Sequence, residues 1–224
     1  MNPAQPGSRV IGVVYLLYFL AAIGGALAAR GLYVAGDPLA TARGILAHAS
    51  AFRAALALDL VGNVLYLVLM AMLVRLFDPV DRRLALVAAF LGVAGCVVQV
   101  GANVFRAFAL SVLLPGGTAA AGGAGPEALH DAAMGLSLHA LTYQSSFVLF
   151  GLFNVSIGML IVRSTLLPRV LGALMIVAGL GWLTFLWPPL ATSLAVVVMP
   201  LGMIAELVLM GWLLVRGTRV TSGA

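Results

Sequence analysis

Asp59 and Asn63 stand four residues apart inside an otherwise apolar run, and Tyr66 continues the same helical face. Gln99, Asn103 and Arg106 form a second such stripe in the next run. A third run carries His139, Tyr143, Ser146 and Asn154 on one face, with Gln144 beside them. A last run carries Glu206, flanked on its face by Met199, Met203 and Met210. A carboxylate opposite a guanidinium, with amides, an imidazole and a phenol around them, can hold the polar part of a small ligand. A buried Asp59 or Glu206 can instead act as a general acid. The same groups can also simply fasten helices to one another. Residue types alone leave all three readings open.

The elements that must position these groups follow from composition. Of 224 residues, 63% are hydrophobic and 8% are charged, whereas a soluble domain has about 45–50% apolar and about 25% charged residues. Too few charges remain to coat a water-facing surface. This excludes a soluble globular enzyme, a disordered tail and a nucleic-acid-binding domain, and makes the lipid bilayer the expected partner. About 20 helical residues cross roughly 30 Å of hydrocarbon. Six runs qualify, at approximately 10–29, 54–77, 84–114, 138–162, 170–187 and 194–215. The runs are apolar on nearly every face, which excludes spanning strands. The expected fold class is all-α: a polytopic membrane protein, a six-transmembrane-helix bundle forming a single integral membrane domain over residues 1–224. The first run is too long for the apolar core of a signal peptide and reads as the first membrane helix.

Breakers separate the runs: Gly36-Asp37-Pro38, Asp78-Pro79, Pro115-Gly116-Gly117 with Gly122-Gly123, Pro168, and Pro188-Pro189. Pro126-Glu127 reads as a helix start, with the following stretch to about Gly135 lying in the interface or extending the fourth helix. All twelve basic residues are arginine. With six spans, Arg9, Arg75, Arg82, Arg83, Arg163, Arg169, Arg216 and Arg219 share one side, against Arg30, Arg43 and Arg53 on the other. The excess predicts both termini in the cytoplasm of a bacterial-type inner membrane. Trp182 and Trp187 then fall near the outer interface and Trp212 near the inner one. Gly151 with Gly158, and Gly172 with Gly179, are seven apart and lie on single helix faces, a spacing that lets backbones approach closely.

At 1.5 Å per residue, Asp59 lies roughly 9 Å below Arg53 and Arg106 roughly 13 Å below Pro115. The similar depths predict an Asp59–Arg106 ion pair within a polar layer in the outer half of the bundle, which His139, Tyr143 and Gln144 enter from the same side. Glu206 lies deeper, and no charged residue stands at an obviously matching depth. No pair among His48, His130 and His139 has the spacing of a helical metal site, so no metal and no cofactor is expected. The serines lack the strained-turn context of a hydrolase nucleophile, and the glycine runs are followed by no Lys-Ser/Thr. Cys96 is the single cysteine, excludes an intrachain disulfide and reads as a small packed thiol.

The second half also carries a family pattern. Phe150-Gly151-Leu152, Gly158, Leu167-Pro168-Arg169-Val170-Leu171-Gly172, Gly179-Leu180-Gly181 and the ending from Ala205-Glu206-Leu207 to Trp212-Leu213-Leu214-Val215-Arg216-Gly217 resemble the bacterial multi-pass family known as domain of unknown function 4386. Arg9 followed by Gly12-Val13-Val14-Tyr15-Leu16, and Phe52-Arg53 followed by Asp59, fit the same pattern. The resemblance covers nearly the whole chain. It implies a membrane fold and adds no catalytic residue.

The leading expectation is an integral membrane protein that binds or conducts a small or lipophilic ligand through a polar cavity in the outer half of the bundle. Asp59 and Arg106 would anchor it, and Asn63, Gln99, Asn103, His139, Tyr143 and Gln144 would belong to the polar layer, with Glu206 below. The alternatives are an intramembrane enzyme acting on a lipid or isoprenoid, and a structural or accessory subunit whose glycine faces bind a partner.

Overall fold

A computed structural model describes residues 7–34, 37–114 and 125–218. Among these residues every regular element is helical. Helix α1, Ser8–Ala28, is followed by Gly31 at φ +79°, a left-handed turn that glycine enters without steric cost. Helix α2, Pro38–Ala47, starts from Asp37, whose side chain accepts a hydrogen bond from the Ala40 amide at 2.9 Å. Proline at the first position gives up no intrahelical bond there. The breaker Gly36-Asp37-Pro38 is thus in part a helix start, which the expected loop did not include; Gly36 itself lies outside the described residues.

Helix α3, Ala49–Leu113, merges the expected second and third spans into one element of 65 residues. It breaks at Asp81, where the backbone is extended at φ −159° and ψ 94°. Pro79, just before, cannot donate into the ladder. Asp81 caps the second segment, its Oδ1 accepting from the Leu84 amide at 3.1 Å. Helix α4, Pro126–Arg163, begins at the proline-glutamate pair and carries the 126–135 stretch as its own first turns. Pro115-Gly116-Gly117, Gly122-Gly123 and Arg219 lie outside the described residues. Helix α5, Arg169–Trp182, follows Pro168 and runs into a 3₁₀ turn, Leu183–Leu186. Helix α6, Pro188–Val215, takes Pro188-Pro189 into its first turn, where a loop was expected. It ends at Gly217, φ +67°, with the Arg216 and Gly217 amides both bonded to the Trp212 carbonyl.

Five of these helices are long and apolar enough to cross a membrane. Their outward faces are greasy: Phe90, Val170, Val196 and Val215 are each more than 70% exposed. Polar Asn63, Asn103, Arg106, Asn154 and Glu206 are instead buried. This inversion of the soluble pattern is what a hydrocarbon solvent selects. The chain is an integral membrane protein built as an apolar helical bundle.

Its residues fall into two compact units. The first comprises Met1–Leu17, Val64–Val97 and Gln144–Ala224. Here α4 and α5 pack through the two glycine pairs. A Cβ on Gly158 would sit 2.6 Å from the Gly172 oxygen, and one on Gly151 would sit 2.8 Å from the Gly179 oxygen. Such closeness gains dispersion energy where hydrophobicity offers little. Trp182 packs edge-on against Phe147 and lies against Gly202, while Trp187 is exposed. Arg163 at the end of α4 donates to Asp81 at 2.9 Å. The Thr218 amide donates to Ser8 Oγ at 2.8 Å, joining the start of α1 to the end of α6.

The second unit comprises Tyr18–Asn63 and Val98–Tyr143. Its core is a cluster that includes Leu32, Ile45, Phe52, Leu113 and Leu129, so α2 closes one end of the unit over the ends of α3 and α4.

Candidate functional site

The polar groups of the second unit gather around Arg106. Its side chain is buried, and Nη1 donates to Oδ2 of Asp59. The guanidinium carbon lies 5.0 Å from the centroid of the Phe52 ring, a cation–π contact. The Tyr33 hydroxyl lies near the guanidinium of Arg106. Helix α1 reaches the pair at Gly25, where a Cβ would come within 3.1 Å of Asp59 Oδ1. A larger residue there would push into the carboxylate. Asp59 keeps about a quarter of its side chain exposed (26%).

The neighbours divide into engaged and unengaged groups. His139 Nδ1 lies 3.0 Å from the Ala102 carbonyl oxygen and its ring is 5.5 Å from that of Tyr143. Tyr143 is hydrogen-bonded to Gln99. Asn63 turns its amide back onto its own helix, donating to the Asp59 carbonyl at 2.9 Å. Asn103 differs from all of these. It is 4% exposed, and neither its Nδ2 nor its Oδ1 has a partner among the described residues. One turn away, Nε of Arg106 is likewise buried and unpartnered. Buried polar atoms are satisfied in the great majority of cases, so three such atoms without a partner among the described residues, on adjacent turns of one helix, set this stretch of α3 apart.

Two of the expected residues lie elsewhere. Gln144 is exposed and belongs to the first unit. Glu206 is also in the first unit, where Asn154 Nδ2 donates to its Oε1 at 3.4 Å and Tyr15 makes a second hydrogen bond. Its partners are neutral donors on α4 and α1. Met199 and Met203, which share its helical face by spacing, are exposed. Sequence reasoning missed Tyr33, Phe52 and Gly25. Only Phe52-Arg53 carried a signal, as part of the family pattern, and that pattern assigns no role.

The family model described as "Domain of unknown function (DUF4386)" matches residues 10–217. The chain belongs to this family. No curated protein and no solved structure matches it. The matched residues include both the Asp59–Arg106 cluster and the Glu206 cluster.

Proposed function

We propose that this DUF4386 protein spans a bacterial inner membrane six times, with both termini cytoplasmic, and binds or conducts a small or lipophilic ligand at the Arg106 cluster. Six crossings are supported by parity. Ser8 opens the first helix and Thr218 follows the last, and their hydrogen bond supports a reading in which the two ends share one side. That requires an even number of crossings, which the helices supply when the segments either side of Asp81 count separately. The Arg163–Asp81 pair agrees, because it brings together the second and fourth expected loops. The arginine excess assigns that side to the cytoplasm.

The observation that carries the binding reading is Asn103, buried with its amide unpartnered among the described residues, as is the neighbouring Nε of Arg106. Asp59 and Arg106 would anchor the polar part of the ligand, and Gln99, His139 and Tyr143 would shape the layer around it. The structural reading draws on the same ion pair and on the glycine faces. Those faces are already occupied within the chain, which weakens a role in partner binding. The enzyme reading needs a free acid, whereas Asp59 is engaged by Arg106 and Glu206 by Asn154 and Tyr15.

Native mass spectrometry of the gently extracted protein tests the proposal. A bound adduct in the wild type that is reduced in Asn103→Leu supports it. Adduct-free wild-type protein, or an adduct indifferent to Asn103, overturns it.

A further inference from the structure

The unmatched atoms of the second unit also constrain the chemistry of what binds there. This inference rests on the binding reading above and narrows it. Arg106 carries the cluster's positive charge, and Asp59 already balances it across a direct ion pair. A charged headgroup entering such a neutral pair would meet repulsion from one member and would also have to shed its water, a cost the pair could no longer offset. The orphan atoms set the second condition. Arg106 Nε offers one N–H, Asn103 Nδ2 offers two, and Asn103 Oδ1 needs a donor. A carboxylate or phosphate diester accepts only, and would leave Oδ1 unsatisfied. An ammonium donates only, and would leave the N–H groups unsatisfied. A hydroxyl or a primary amide does both from one small group.

The position of the cluster supplies the rest. The site lies within membrane-length helices whose neighbouring surface residues, Val100 and Val104, are exposed and apolar. Such surroundings suit a ligand drawn from the lipid phase, and Asp59 and Tyr33 are the partly exposed members of the cluster. We infer that the Asn103–Arg106 site takes an uncharged amphiphile, an apolar tail ending in a hydroxyl or primary amide that accepts from Arg106 Nε and donates to Asn103 Oδ1.

Four probes with one tail separate the possibilities: dodecan-1-ol, dodecanamide, dodecanoate and dodecylammonium. The full chain in phosphatidylcholine nanodiscs, which present no free hydroxyl, is melted with each while tryptophan fluorescence is followed. The alcohol and the amide are expected to raise the midpoint by about 3 °C or more by binding the folded state, the two ions to leave it unchanged, and Asn103→Leu to abolish the rise. If Asn103→Leu does not fold, Asn103→Ser takes its place, with a reduced rise expected. A rise with dodecanoate or dodecylammonium instead, lost in the variant, overturns the neutral class while leaving the binding reading standing. No rise with any probe, together with adduct-free wild-type protein, removes both. Equal rises in wild type and variant overturn the inference, because they report only a general effect on the bilayer.

Discussion

Arg106 and Asp59, 47 residues apart in sequence and on opposite sides of the Asp81 break, form a direct ion pair in the second unit. The pair has few other ways to be satisfied. Arg106 is buried over Phe52, and Asp59 faces Gly25 of α1. Removing one partner therefore leaves the other stranded in a weakly solvated place, which is where a broken pair costs most. Asp59→Asn and Arg106→Gln are each expected to lower the melting midpoint in detergent. The double variant should recover part of the loss, with a coupling of about 1–3 kcal/mol. Thermal denaturation of the four proteins measures it, and additive losses would show that the pair contributes nothing to stability.

The glycines of the first unit predict opposite outcomes for one kind of substitution. Gly158→Ala would drive its Cβ to 2.6 Å from the Gly172 oxygen, and both partners are backbone in packed helices that cannot step aside cheaply. A loss of about 1–3 kcal/mol is expected, read as a lower midpoint or a fall in monodisperse yield. Gly211, by contrast, has nothing within 4 Å of a built Cβ and lies inside α6. Gly211→Ala should be neutral or stabilising by up to about 1 kcal/mol through helix propensity. Equal losses at the two positions would mean that the close α4–α5 approach does not matter.

The single-face spacing of these glycines and the pairing of Asp59 with Arg106 could both be read from residues, and the reason is the same. Periodicity fixes which residues share a face, and a rise of 1.5 Å per residue fixes depth. Lipid then forces polar and small residues inward. Partners within one apolar run of each other are therefore legible. Side-chain choices are not. Asn63 lies on the stripe with Asp59 yet bonds back to the Asp59 carbonyl, because that acceptor is one turn away on its own helix. Tyr33 and helix α2 escaped notice for a different reason. They lie in a connection, where composition reads as loop and the cap at Asp37 is one residue among several breakers. Glu206 appeared to lack a partner because its partners, Asn154 and Tyr15, are neutral and a search by charge passes over them.

The contact between the chain's two ends gives a topological prediction. Ser8 Oγ and the Thr218 amide are 2.8 Å apart. In a Cys96→Ser background, Ser8→Cys with Thr218→Cys should form a disulfide under mild oxidation and shift mobility on a non-reducing gel. Arg43→Cys should react with a membrane-impermeant maleimide in intact cells, while Ser8→Cys should react only after lysis. Labelling of Ser8→Cys from outside would reverse the orientation, and a Ser8–Thr218 pair that never cross-links would remove the parity argument for six crossings.

Asp81 has two tasks that substitution can separate. Its Oδ1 caps the second segment of α3 at Leu84, and its Oδ2 receives Arg163 at 2.9 Å. Arg163 is exposed and Asp81 partly so, with side-chain exposures of 57% and 31%, so the ion pair alone is expected to be worth no more than about 1 kcal/mol. The cap satisfies an amide that has no partner within its own helix, and losing it costs about 0.5–2 kcal/mol. Asp81→Asn keeps a capping oxygen and gives up the charge, so it should melt close to the wild type and lose what salt dependence the pair confers. Asp81→Ala gives up both and should melt lower than Asp81→Asn and lower than Arg163→Gln. If Asp81→Asn and Asp81→Ala are equally destabilised, the carboxylate's charge and not its capping geometry holds the break, and the extended backbone at residue 81 must be fixed by Pro79 instead.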